Sequence, residues 1–236
     1  PIAFLWLVGL GAVNFLGGRT QNWRAIHRVG ASRSTAIVGT SSVFAAIFAV
    51  TITGERPHFL VPLGTAGVVV GLVVTTGESL RRGWGGDRTA LIGYLLALCA
   101  AASYGGTNVV AKELTEAYGS PLVISGFSLV FGVLLLLPLA GRDALIDLRA
   151  ARSDLGLVVF AGMSGLAAGG AVISLYYALQ WADVMVVSPL VSSYPLLTLL
   201  LAHLFIAKLE IITRQVVFGT TLAVLGVILV ALGSTL

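Results

Sequence analysis

Long apolar stretches, each closed by a short polar break, divide the chain into eight segments: 2–26, 31–53, 59–76, 90–111, 121–139, 155–180, 184–207 and 216–232. A helix needs about 20 apolar residues to cross the hydrocarbon of a bilayer, and each segment is near that length. The breaks are turn chemistry: Gly54-Glu55-Arg56-Pro57, Arg81-Arg82-Gly83-Trp84-Gly85-Gly86-Asp87, Gly119-Ser120-Pro121 and Gly141-Arg142-Asp143. Apolar residues do not alternate with the period of two that a lipid-facing barrel strand requires. The pattern predicts an all-α fold, a polytopic transmembrane bundle of about eight spans, with loops too short for a separate soluble domain.

Composition sharpens this picture. Of 236 residues 57% are hydrophobic and 10% charged, against roughly 25% charged in soluble domains. That excludes a water-soluble globule. The single cysteine, Cys99, and 29 glycines without a G-x-y period exclude a disulfide scaffold and a collagen-like chain. The net charge of +4 is no argument for nucleic acid, and where the basic residues sit matters more than their sum. The odd-numbered loops carry Arg24, Arg28, Arg33, Arg81, Arg82, Arg88, Arg142, Arg149, Arg152, Lys208 and Arg214, whereas the even-numbered loops carry only Arg56 and Lys112. The positive-inside rule then places the odd loops in the cytoplasm and both chain ends outside, for a multi-pass protein of the cell membrane.

The chain repeats itself. Glu55, Gly64, Thr65 and Gly71 recur as Glu210, Gly219, Thr220 and Gly226, at an offset of 155. Gly9, Gly17, Ala25 and Ala49 recur as Gly162, Gly170, Ala178 and Ala202, at an offset of 153. The first three segments therefore correspond to the last three, and the second copy has two further helices before them. The natural unit is five helices, with the first unit (1–80) showing its last three and the second (81–236) all five. On this reading two helices, roughly 40 to 60 residues, belong before Pro1. An odd number of spans per unit turns consecutive units over in the membrane, as in the inverted repeats of secondary transporters.

Several motifs then line up. They are Ala25-Ile26…Gly30-Ala31-Ser32, Ser42-Val43-Phe44-Ala45-Ala46, Gly54-Glu55 and Gly64…Gly71 in the first copy. The second copy offers Tyr104-Gly105-Gly106-Thr107-Asn108…Lys112, Tyr177-Ala178-Leu179, Ser193-Tyr194-Pro195-Leu196-Leu197 and Glu210…Gly219…Gly226. In order and spacing the chain resembles EamA-type members of the drug/metabolite transporter superfamily. The resemblance implies ten helices in two five-helix repeats and transport of small organic metabolites. The chain departs from the pattern in lacking the first two helices and in reading Ala207-Lys208-Leu209-Glu210 where Gly-Glu is usual. Its charge count also opposes the cytoplasmic termini common in the family.

Candidate binding residues cluster where spans are broken. The seventh segment holds Ser188-Pro189-Leu190-Val191-Ser192-Ser193-Tyr194-Pro195, and the matching part of the second reads Gly39-Thr40-Ser41-Ser42. Each proline removes a backbone donor, and interrupted helices at corresponding places in two halves point to a transport site. Ser41, Ser42, Ser192, Ser193 and Tyr194 are the candidates there, unless these are packing kinks whose hydroxyls bond their own helices. From other helices Tyr104, Thr107, Asn108 and Tyr177 offer a tyrosine- and amide-lined wall, or interhelical glue. Arg19 either meets an anionic group or snorkels to the headgroups. Gly67–Gly71 and Gly165–Gly169 are G-x-x-x-G pairs suited to packing. His203 stands one turn from a helix end as a packing residue or a proton relay.

No G-x-x-x-x-G-K-[ST], H-E-x-x-H or Cys/His cluster occurs, so the sequence predicts no catalytic residue, no metal and no cofactor. The resulting expectation is a non-enzymatic secondary transporter, facilitator or exporter, whose partners are a small-molecule substrate and the lipid bilayer, not nucleic acid. It would work by alternating access, with the substrate near the midplane between the second, fourth, sixth and seventh spans. The alternative is a non-transporting integral membrane component or a degenerate transporter fragment.

Overall fold

The computed structural model describes residues 2–81, 88–151, 154–194, 197 and 214–233. Every regular element among them is helical. The first span is α1 (Ile2–Ala12), a π-helical stretch (Val13–Arg19) and α2 (Thr20–Val29). The second is α3 (Ala31–Val38), α4 (Ser41–Phe48) and a π-helical stretch (Ala49–Thr53). There follow α5 (Leu60–Arg81), α6 (Arg88–Tyr118), α7 (Pro121–Ala151), α8 (Leu155–Trp181), α9 (Val184–Ser192) and α10 (Arg214–Gly233). Helices α6 and α7 run past the apolar segments at 90–111 and 121–139, because hydropathy stops where water begins while backbone hydrogen bonding does not.

Three described helices are long and apolar enough to cross a membrane: Arg88–Tyr118, Pro121–Arg142 and Leu155–Trp181. Shorter apolar helices are Ser41–Thr53, Leu60–Val74 and Thr221–Gly233. Burial is arranged for lipid rather than water. Many leucines, valines and phenylalanines of α1, α7 and α8 face outward, while Ser34, Ser42, Thr107, Asn108, Ser125, Ser128, Ser188 and Ser192 are buried. Hydroxyls and amides need partners that hydrocarbon lacks, so they turn into the bundle.

Helices α5 and α10 form the tightest pair. They run antiparallel, from Gly233 beside Val61 to the Gln215 amide donating to the Val74 carbonyl at 3.0 Å. A Cβ on Gly71 would come within 2.6 Å of the Ala223 nitrogen and the Gly219 carbonyl oxygen. On Gly226 it would meet the Gly64 carbonyl oxygen and the Val68 nitrogen at the same distance. Only glycine permits this approach. The contacts are reciprocal: Gly64 faces Gly226, the counterpart of Gly71, and Gly71 faces Gly219, the counterpart of Gly64.

The other G-x-x-x-G pair behaves differently. Side chains placed on Gly162, Gly165, Gly169 or Gly170 of α8 would meet nothing within 4 Å. Sequence spacing predicts packing at Gly165–Gly169, but among the described residues nothing lies against these glycines. At an offset of 153, Gly170 corresponds to Gly17, which lies against Ser103 of α6, and Gly162 corresponds to Gly9, where an added Cβ likewise meets nothing within 4 Å.

Candidate functional site

Both broken spans break at equivalent residues. Gly39 ends α3 and Thr40 opens α4 with φ −70° and ψ −1°; Ser193 ends α9 with φ −81° and ψ −4°. They are 153 positions apart. In each, the hydroxyl donates to the carbonyl three residues back, Thr40 to Ile37 and Ser193 to Leu190, both at 2.6 Å. Local side-chain hydrogen bonds of this kind compete with the helix ladder and bend the chain. Within α9, Pro189 adds a missing donor. The two bends swing Ser41 and Ser192 toward each other, their hydroxyl oxygens 3.4 Å apart across the middle of the bundle.

A cavity of about 220 Å³ opens at this meeting point. Four of its lining residues fall between 22 and 41 (Asn22, Val38, Gly39, Ser41), and four between 175 and 194 stand in matching register to them (Leu175, Val191, Ser192, Tyr194). Each of the first set pairs with one of the second at an offset of 153, 22 with 175, 38 with 191, 39 with 192 and 41 with 194. Tyr104 and Asn108, a turn apart on α6, and Ser188 on α9 complete the described wall.

The polar groups are held in place. Asn108 Nδ2 donates to Ser188 Oγ at 2.9 Å, which leaves its carbonyl oxygen available. Ser34 Oγ donates to Asn22 Oδ1 at 2.7 Å, and the Tyr104 hydroxyl lies beside the Asn22 side chain. Val38, Val191 and Leu175 supply an apolar side. Such a wall replaces the hydration of a small polar molecule while covering its hydrocarbon portion.

Of the ten residues singled out from sequence, Ser41, Tyr104, Asn108, Ser192 and Tyr194 line this cavity. The other five do not. Ser42 is buried and donates to the Gly39 carbonyl; Thr107 is buried and donates to the Ser103 carbonyl. Ser193 is spent on its bend. Tyr177 is 43% exposed on the outer face of α8, and its neighbour Tyr176, 1% exposed, turns inward to donate to Ser128 Oγ at 3.3 Å. Arg19 is exposed beside the cavity wall rather than in it. Pro195 and His203 lie outside the described residues. Asn22, Leu175 and Ser188 were not among the ten, and the 153-residue offset is the signal that links Leu175 to Asn22.

The sequence matches the profile of the EamA-like transporter family over residues 1–77 and 91–232. Among solved structures, one crystal structure of a protein is similar in fold, with a TM-score of 0.70 at 19% identity, covering 98% of this chain and 77% of the other. A comparison with curated proteins gives no match.

Proposed function

The chain belongs to the EamA-like transporter family, and from that premise we propose that it is a secondary transporter, a facilitator or exporter in the cell membrane. It moves small organic metabolites by alternating access between two inverted repeats, 1–80 and 81–236. The observation that carries this reading is the lining of the central cavity by residues in matching register from both copies. A site on the axis that relates two oppositely oriented units is reachable from either face as the units rock.

The wall combines polar side chains (Asn22, Ser41, Asn108) with apolar ones (Val38, Leu175, Val191). A substrate with a hydrogen-bonding head and a short hydrocarbon portion suits it.

The test is uptake of a panel of small polar metabolites into vesicles reconstituted with the protein. Asn108→Ala and Tyr194→Ala should each lower transport about tenfold or more, the loss of one or two hydrogen bonds to a desolvated solute. Leu135→Ala, outside the site, should leave it near the parent rate. Full transport by both variants at matched amounts of folded protein would move the site elsewhere.

A further inference from the structure

At the end of the bundle that carries the even-numbered loops, charged side chains from three elements converge on one ammonium. Helix α9 begins at Asp183, which makes no cap bond to its own helix. Its first free N–H groups go instead to the other half of the molecule: Val184 and Met185 donate to Glu55 Oε1 and Oε2 at 3.0 and 3.2 Å. Glu55 reaches them because the π-helical stretch Ala49–Thr53 ends at Gly54, whose φ of +72° turns the chain sharply. A carboxylate there also faces the positive end of the α9 dipole.

Lys112 of α6 fills the space between. Its Nζ is 2.7 Å from Asp183 Oδ1, 3.5 Å from Glu55 Oε1 and 3.6 Å from Glu116 Oε1. The side chains of Lys112 and Glu55 are only 10% and 7% exposed. Charges this enclosed are tolerated because each is paired and hydrogen-bonded, and the pairing holds only for one relative position of α6, α9 and the second span.

This cluster sits one helical turn beyond the cavity. Lys112 follows Asn108 by four residues on α6, and Val184 precedes Ser188 by four on α9, a rise of about 6 Å. Beyond the cluster lies a depression of about 650 Å³ whose wall includes Arg56, His58, Trp181 and Asp183. Asp183 therefore belongs both to the cluster and to the outer depression.

We propose that Glu55, Lys112 and Asp183 form an ion-pair gate that shuts the central cavity from the even-loop face, and that opening parts the N-terminus of α9 from Glu55. The proposal rests on the transport reading for its purpose, but its geometry is tested without substrate. On a Cys99→Ser background, a single cysteine replaces Ser188 in the cavity wall, and a membrane-impermeant maleimide is added to either side of reconstituted vesicles. With the gate intact, labelling from the even-loop face is slow.

Glu55→Gln should speed it about tenfold, the weight of one charge-assisted hydrogen bond lost from the closed state. Asp183→Asn should act in the same direction by a smaller factor, since that side chain is more than half exposed. Glu116→Gln, which removes a pairing within α6 alone, should leave labelling unchanged. If Glu55→Gln fails to fold, Asp183→Asn decides. Unchanged labelling in the folded variants overturns the gate. Faster labelling in a protein that carries no metabolite of the panel overturns the transport reading alone, and transport with unaltered labelling overturns the gate alone.

Discussion

Tyr176 and Tyr177 are adjacent and chemically identical, yet the fold gives them opposite surroundings. Tyr176 ties α8 to α7 through Ser128, and Tyr177 points outward. Tyr176→Phe should therefore lower the thermal stability of the purified protein by about 1 kcal/mol, the net worth of a buried hydrogen bond, while Tyr177→Phe should not change it. Equal melting of the two variants would show that the Ser128 contact carries no weight. The sequence reading places Tyr177 in the wall and misses its outward direction, because α8 is apolar all round and a membrane helix need not show the polar stripe that marks the exposed side in water. Asn108 was legible for the opposite reason: an amide deep in an apolar run has one comfortable direction, inward. Lys112 and Glu55 read only as motif and loop residues, because each sits at the end of an apolar run, where a charge is ordinary. Only the folded chain brings 55 next to 184.

At the scale of elements, the bends were legible and the helix pairing partly so. Gly39-Thr40 and Ser192-Ser193 read as breaks because small hydroxyl residues compete with the helix ladder, and that is where α3 and α9 end. The two G-x-x-x-G pairs read alike in sequence, but spacing does not say which face of a helix has a neighbour. The structure separates them: Gly71 lies against the α10 backbone, and Gly165 against none of the described residues. Gly71→Leu should accordingly destabilise the protein by about 3 kcal/mol through overpacking. Gly165→Leu should leave the melting temperature in detergent at or above that of the parent, since leucine favours a helix over glycine by up to about 1 kcal/mol. Similar losses at both positions would mean that α8 is packed in the protein as purified.

For the whole molecule, the two ends of the bundle differ in charge as much as the two copies agree in register. The even-loop end has Arg56 and a Lys112 already engaged by three carboxylates, so little free positive charge remains there. The odd-loop end carries Arg24, Arg28, Arg88 and Arg142 among many others. Positive charge resists translocation, so the charge bias predicts the odd-loop end in the cytoplasm and the proposed gate facing outward. On a Cys99→Ser background, a cysteine at Glu116, which is exposed at the even-loop end, should react in intact cells with an impermeant maleimide. One at Arg142, exposed at the odd-loop end, should react only after permeabilisation. The reverse pattern would turn the molecule over and place the gate on the cytoplasmic face, leaving its geometry intact. Labelling of both in intact cells would mean that the chain inserts both ways, in which case the charge bias does not decide orientation.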